Sequence, residues 1–154
     1  MSYVVFCQHA EPFVDLVSIL GNARRYFEAS IDVLSQKCDP DDPRAKSATF
    51  SLTSAKRGYS GRFSVTARLR THEDLAKARA AEERGRAGGM ALLAERCPTV
   101  WVVEPEDDTA PAATLNLSAI LAATALGPVL PPDGSTLFGV RGAMERLEKL
   151  VGPE

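Results

Sequence analysis

The chain has 154 residues, of which 45% are hydrophobic and 25% charged, with a formal net charge of −2; that is enough apolar material for one domain, and any affinity for phosphate has to come from local segregation of charge. Its three cysteines, Cys7, Cys38 and Cys97, are odd in number, widely spaced and without a C-x-x-C pair, which speaks for free thiols in a reducing, cytoplasmic setting and against a disulfide scaffold or a metal site. The N-terminal MSYVVFCQHAEP lacks a basic segment and a long apolar run, and prolines and polar residues such as Asn116 and Ser118 interrupt the uncharged stretch from Thr109 to Pro132, so neither export nor a membrane role is expected.

Residues 3 to 8, YVVFCQ, are β-branched and aromatic and read as a first strand, with Pro12 suited to the first turn of a following helix. From Phe13 through Leu16, Leu20, Ala23, Phe27 and Ile31 to Leu34, apolar residues recur at three- and four-residue intervals, which predicts one long amphipathic helix that Gly21 and Asn22 would kink or split. The run Cys38 to Pro43, with two prolines and three aspartates, is a loop. Strict alternation then places Ala48, Phe50 and Leu52 on one face of a second strand and Phe63, Val65, Ala67 and Leu69 on one face of a third. Gly58 and Gly61 serve the turn between them. Thr71-His72-Glu73-Asp74 has the form of a capping box and opens a second helix whose Leu75, Ala78, Ala81, Gly85, Gly88, Gly89 and Leu92 share a side. Pro98 ends it, and TVWVV at 99 to 103 is a fourth strand.

The order β-α-β-β-α-β predicts an α+β, ferredoxin-like two-layer sandwich, a four-stranded antiparallel sheet with both helices on one face. Two additional C-terminal helices are expected near 113 to 126 and 138 to 150. Residues 1–154 thus read as a single domain, with 1–104 as the sandwich core and 105–154 as a helical extension. That extension either half-covers the second sheet face or offers Leu115, Leu117, Ile120 and Leu121 to a second copy in a homodimer.

From Arg44 to Thr71 there are seven basic side chains and no acidic one. The hairpin residues Arg57, Tyr59, Arg62, Arg68 and Arg70 are the candidate partner-binding set, facing an acidic protein. RNA-recognition motifs share the β-α-β-β-α-β order and open their third strand with a basic-Gly-aromatic run that Arg57-Gly58-Tyr59 resembles, which makes weak nucleic-acid binding a further alternative. A competing account is a solvated sheet face whose arginines discourage edge pairing.

Arg84-Gly85-Arg86-Ala87-Gly88-Gly89-Met90-Ala91 resembles the acetyl-coenzyme A loop of the N-acetyltransferase superfamily, with Arg86, Gly89 and Ala91 at the defining positions. The resemblance implies a coenzyme A-dependent acyltransferase, a loop between strand and helix, and pyrophosphate held on backbone amides. The preceding LAKARAAEE at 75 to 83 nonetheless reads as helix. Cys7 and His9 stand where the first strand ends, a place where a thiol and an imidazole could act together, but one of each makes neither a metal site nor a triad. The sequence carries no G-x-S-x-G elbow and no P-loop. The leading expectation is therefore a small regulatory, adaptor or immunity-type binding module without resident cofactor or metal, and the acyltransferase is the second.

Overall fold

Residues 2–151 are described by the structure, a computed structural model. The elements in chain order are β1 (Tyr3–Cys7), α1 (Leu16–Tyr26), β2 (Ser30–Cys38), β3 (Ala45–Ser54), β4 (Tyr59–Leu69), α2 (His72–Gly85), α3 (Met90–Glu95), β5 (Thr99–Pro105), α4 (Pro111–Ala125), β6 (Val129–Leu130) and α5 (Val140–Val151). The chain is a mixed α and β fold with one six-stranded antiparallel sheet, in the order β2-β3-β4-β5-β1-β6.

The sheet separates two apolar layers because its strands alternate. Val5, Cys7, Phe50, Leu52, Phe63, Val65, Trp101 and Val103 face Ile19 and Ala23 of α1, Leu117, Ile120 and Leu121 of α4 and Ala143 of α5. On the second face Phe6, Val100 and Leu130 meet Leu75, Ala78 and Ala81 of α2 and Ala91 and Ala94 of α3. The small residues of α2 and α3 let these helices lie close to the strands. Among the described residues no helix is long and apolar enough to cross a membrane.

Several expectations change. Pro12 does not open the first helix; Asp15 caps it, accepting from the Ser18 amide at 3.3 Å. Gly21 and Asn22 do not break it, since a Cβ at Gly21 would meet only open space and Asn22 donates to Thr124 Oγ1 on α4 at 2.8 Å. The break comes at Glu28, at φ 50°, after which Ser30–Cys38 is a strand and not the second half of the helix. The second helix ends at Arg86 in the left-handed region, and α3 restarts after Gly89 at φ 88°.

The four expected strands are present as β1, β3, β4 and β5, but they lie side by side as β3-β4-β5-β1. A ferredoxin-like sheet would put the first strand, not the fourth, beside the third. Tyr3 through Cys7 instead pair with Val103 through Thr99 and, on the other side, Val4 and Val5 pair with Leu130 and Val129. The two main helices also lie on opposite faces. The 105–154 segment supplies a strand and part of the main core, so Leu117, Ile120 and Leu121 are closed inside the chain, and of the four residues expected to meet a second copy Leu115 alone is partly exposed. Gly127 allows this turn back to β1, because a Cβ there would stand 2.0 Å from the Phe6 carbonyl oxygen.

Candidate functional site

The alternation of β4 sorts the basic hairpin. Phe63, Val65 and Ala67 enter the core of the first face, so Arg62, Ser64, Thr66 and Arg68 stand on the second. Tyr59 has the parity of Phe63 and turns the other way, where its hydroxyl accepts from Asn116 Nδ2 of α4 at 2.6 Å. Arg57 lies in the β3–β4 turn and lines a cavity on the first face. Arg70, past the end of β4, donates from one guanidinium nitrogen to the carbonyls of Ala94, Glu95 and Cys97 at 3.0, 2.7 and 3.1 Å, closing the end of α3. The five hairpin residues therefore do not form one surface. Only Arg62 and Arg68 share the second face, and each meets a carboxylate: Arg62 Nε is 3.5 Å from Glu106, and Arg68 donates to Asp74 at 2.6 and 2.9 Å.

Asp74 is also the acidic member of the capping box, accepting from the Thr71 amide at 2.8 Å while its own amide donates to Thr71 Oγ1 at 3.1 Å. It is 7% exposed. Burial alone would raise its pKa, but the Arg68 and Thr71 hydrogen bonds outweigh burial and hold the carboxyl below its usual value.

The second face is covered unevenly. The layer of α2 and α3 involves Phe6, Val100 and Leu130, and no residue of β2, β3 or β4 belongs to it. Over those three strands the pairing sets Thr49 opposite Ser64, Thr53 opposite Ser60 and Ser47 opposite Thr66. On the β2 side Asp32 lies opposite Ser51, and Lys37 opposite Ser47. The result is a field of hydroxyls with Arg62 within it, opposite Ser51, Arg68 at one end, and Asp107 and Asp108 beside Ser51, Thr53 and Ser60.

A cavity of about 450 Å³ opens on the first face at the turn end of β3 and β4, with Phe27, Ser54, Tyr59, Asn116, Met144 and Leu147 among its lining. Asn116 is 2% exposed, and its Oδ1 has no hydrogen-bond partner among the described residues. An orphaned buried acceptor of this kind costs free energy, so it marks a position to be explained. The sequence signal is an asparagine inside the otherwise apolar helical run LNLSAIL.

The Arg86-to-Ala91 run sits between two helices and not after a strand; α3 spans six residues, and the Gly89 amide is already taken by Glu82 Oε1 at 2.7 Å. A carboxylate thus occupies the position where a pyrophosphate would be bound. At the end of β1, His9 stacks on Phe13 with ring centroids 4.6 Å apart and meets the edge of Trp101 at 6.0 Å. The His9 amide donates to Cys7 Sγ at 3.5 Å. Burial pushes the Cys7 thiol up from its ordinary value, the opposite of what a nucleophile needs. Cys97 is pushed up to about 11 by burial and, secondarily, by the nearby Cys7 thiol. Among the described residues no three His, Cys, Asp or Glu side chains cluster to hold a metal ion. Comparison with protein-family models, with curated proteins and with solved structures finds no match to this chain.

Proposed function

We propose that this protein is a small cytoplasmic binding module, acting without catalysis, that meets a protein partner through the open face of β2, β3 and β4. The observation that carries this reading is the in-register field of Ser47, Thr49, Thr53, Ser60, Ser64 and Thr66 on strands whose other face carries the core residues Phe50, Leu52, Phe63 and Val65. Short hydroxyl side chains lose little rotamer freedom when a partner orders them, and a sheet beneath holds them flat. Arg62 and Arg68 supply the field's positive charge; because each already faces a carboxylate, acidity in the partner supplies steering more than affinity. Nucleic acid suits this face poorly, since Tyr59 and Phe63, the aromatics that could stack on bases, turn to the other side.

Site-specific photo-crosslinking in the cells that make the protein tests the proposal. A photoreactive residue at Ser51 or Thr66 is expected to trap one discrete protein adduct that is missing when the same residue replaces Arg24 on α1. No adduct, or the same adduct from both faces, would overturn it.

The cavity favours a second reading, that a small molecule docks beside α4. Asn116 Oδ1 needs a donor, and the Tyr59 hydroxyl, which already accepts from Asn116, has its own proton to give. A fitting ligand presents a donor and an acceptor side by side, as a primary amide or a lactam does. Nicotinamide and uracil are suitable probes, and a thermal midpoint unmoved by millimolar amounts of either would remove this reading.

A further inference from the structure

The sheet has two edges of different kinds. At one edge β6 is only two residues long, and its Val129 exchanges both backbone hydrogen bonds with Phe138, at 2.7 and 3.1 Å, so that edge is closed by the chain itself. At the other edge β2 runs for nine residues without a proline, and among the described residues its outer side makes no backbone hydrogen bond to any other segment. A long open edge is a template for another strand, and proteins ordinarily blunt it with charges or bulges. β2 has both: Asp32 and Lys37 are exposed, and a bulge interrupts its pairing with β3 between Val33 and Ser35. The two charges are of opposite sign, and neither has an ion-pair partner among the described residues.

We propose that β2 pairs antiparallel with β2 of a second copy about a two-fold axis at Ser35, joining two six-stranded sheets into one. The register follows from the pairing with β3. Asp32 and Lys37 share a face, since their partners Ser51 and Ser47 do; Val33 and Gln36 share the other, since their partners Phe50 and Ala48 do. With Ser35 opposite Ser35 of the second copy and Leu34 left out of the pairing in both copies, as it is against β3, Asp32 falls opposite Lys37 and Val33 opposite Gln36, every pair on a common face. Leu34, the extra residue of the bulge, is 47% exposed and lies beside the axis in both copies. A two-fold axis uses each charge pair twice, so an edge that repels most strands accepts its own copy. Slipping this pairing by two residues, the next step that keeps the faces matched, takes Asp32 and Lys37 away from each other. An interface of one strand and its side chains falls at the small end of specific contacts, which points to association in the ~µM range. This inference does not depend on the partner reading: it uses the outer edge of β2 and not the hydroxyl face, although pairing would set two such faces side by side.

Sedimentation velocity of the full chain across concentrations tests the pairing. Wild type is expected to shift from monomer to dimer, Asp32→Lys and Lys37→Asp each to weaken the dimer by about tenfold or more, and the double variant carrying both exchanges to recover most of the loss. Circular dichroism confirms that each variant is folded, and Arg141→Glu on the exposed side of α5 should leave association unchanged. A wild-type monomer at about 0.1 mM, single exchanges without effect, or a double variant as weak as the singles would overturn the proposal.

Discussion

Phe63 and Arg68 stand five positions apart on one strand and show how differently two side chains of a hairpin bear on stability. Phe63 is fully buried among Phe50, Leu52 and the α4 layer, so Phe63→Ala is expected to cost about 3 to 5 kcal/mol in urea unfolding. Read from the alternation alone, Arg68 is a wet arginine whose removal should change little. Its pairing with the nearly buried Asp74 alters that expectation: Arg68→Ala leaves a carboxylate without its counter-charge and is expected to cost about 1 to 2 kcal/mol. Asp74 also makes stability depend on pH. Its folded pKa lies below the unfolded value of about 3.9, so its contribution is complete above that value and fades as pH falls below it. Thermal melts of wild type and Asp74→Asn should therefore differ most near neutral pH and converge steadily below about pH 4; a gap that stays constant would show that the charge is not involved. Alternation makes such inward and outward assignments readable one residue at a time. It does not say that Arg68 finds Asp74, or that Tyr59 reaches Asn116, because those partners lie on other elements.

Elements announced by short-range chemistry are the ones legible in the chain. The capping box at Thr71 and Asp74 forms as expected, and Thr71→Ala should lower stability by about 1 kcal/mol, with Thr71→Ser recovering most of it. The β3–β4 hairpin is legible because Phe50, Leu52, Phe63, Val65 and Ala67 are buried on one face while the other is open, which gives contrast along the strand; Leu69, expected on the buried face, is 61% exposed because it lies at the strand's end, past the core. β2 gives no such contrast. Beyond Val33 every residue of this edge strand is exposed, and Phe27, Ile31 and Leu34 happen to fall at helical spacing. The periodicity that ran α1 into β2 was thus partly an accident of an edge with little to bury. The stop at Glu28 was equally silent, because it uses a left-handed backbone without a glycine or proline to mark it. The split between α2 and α3 has its glycines in plain view, but they act at a turn and not along one continuous helix face.

At the scale of the whole molecule, the antiparallel sheet and mixed composition were foreseeable, whereas strand order was not, since nothing local in Tyr3–Cys7 distinguishes Thr99–Val103 from any other apolar neighbour. The C-terminal segment is part of the core: α4 lies against β1, β3 and β4, and β6 borders β1. A chain ending at Asp108 is therefore expected to lose its cooperative thermal transition and its near-ultraviolet signal from Trp101, because the truncation removes the α4 layer packed with it on the first face; a sharp transition in the truncated chain would contradict this. The place of β1 between β5 and β6 also has a temporal meaning. The β2–β3–β4 meander can assemble from neighbouring residues, but β1 has no strand to pair with until Thr99–Pro105 is in place beside β4, and its second neighbour comes only with Val129–Leu130. β1 thus waits on partners distant in sequence and is among the last strands to be seated. Stopped-flow kinetics should register this order: Leu52→Ala in the meander is expected to slow refolding, whereas Val5→Ala in β1 should mainly quicken unfolding.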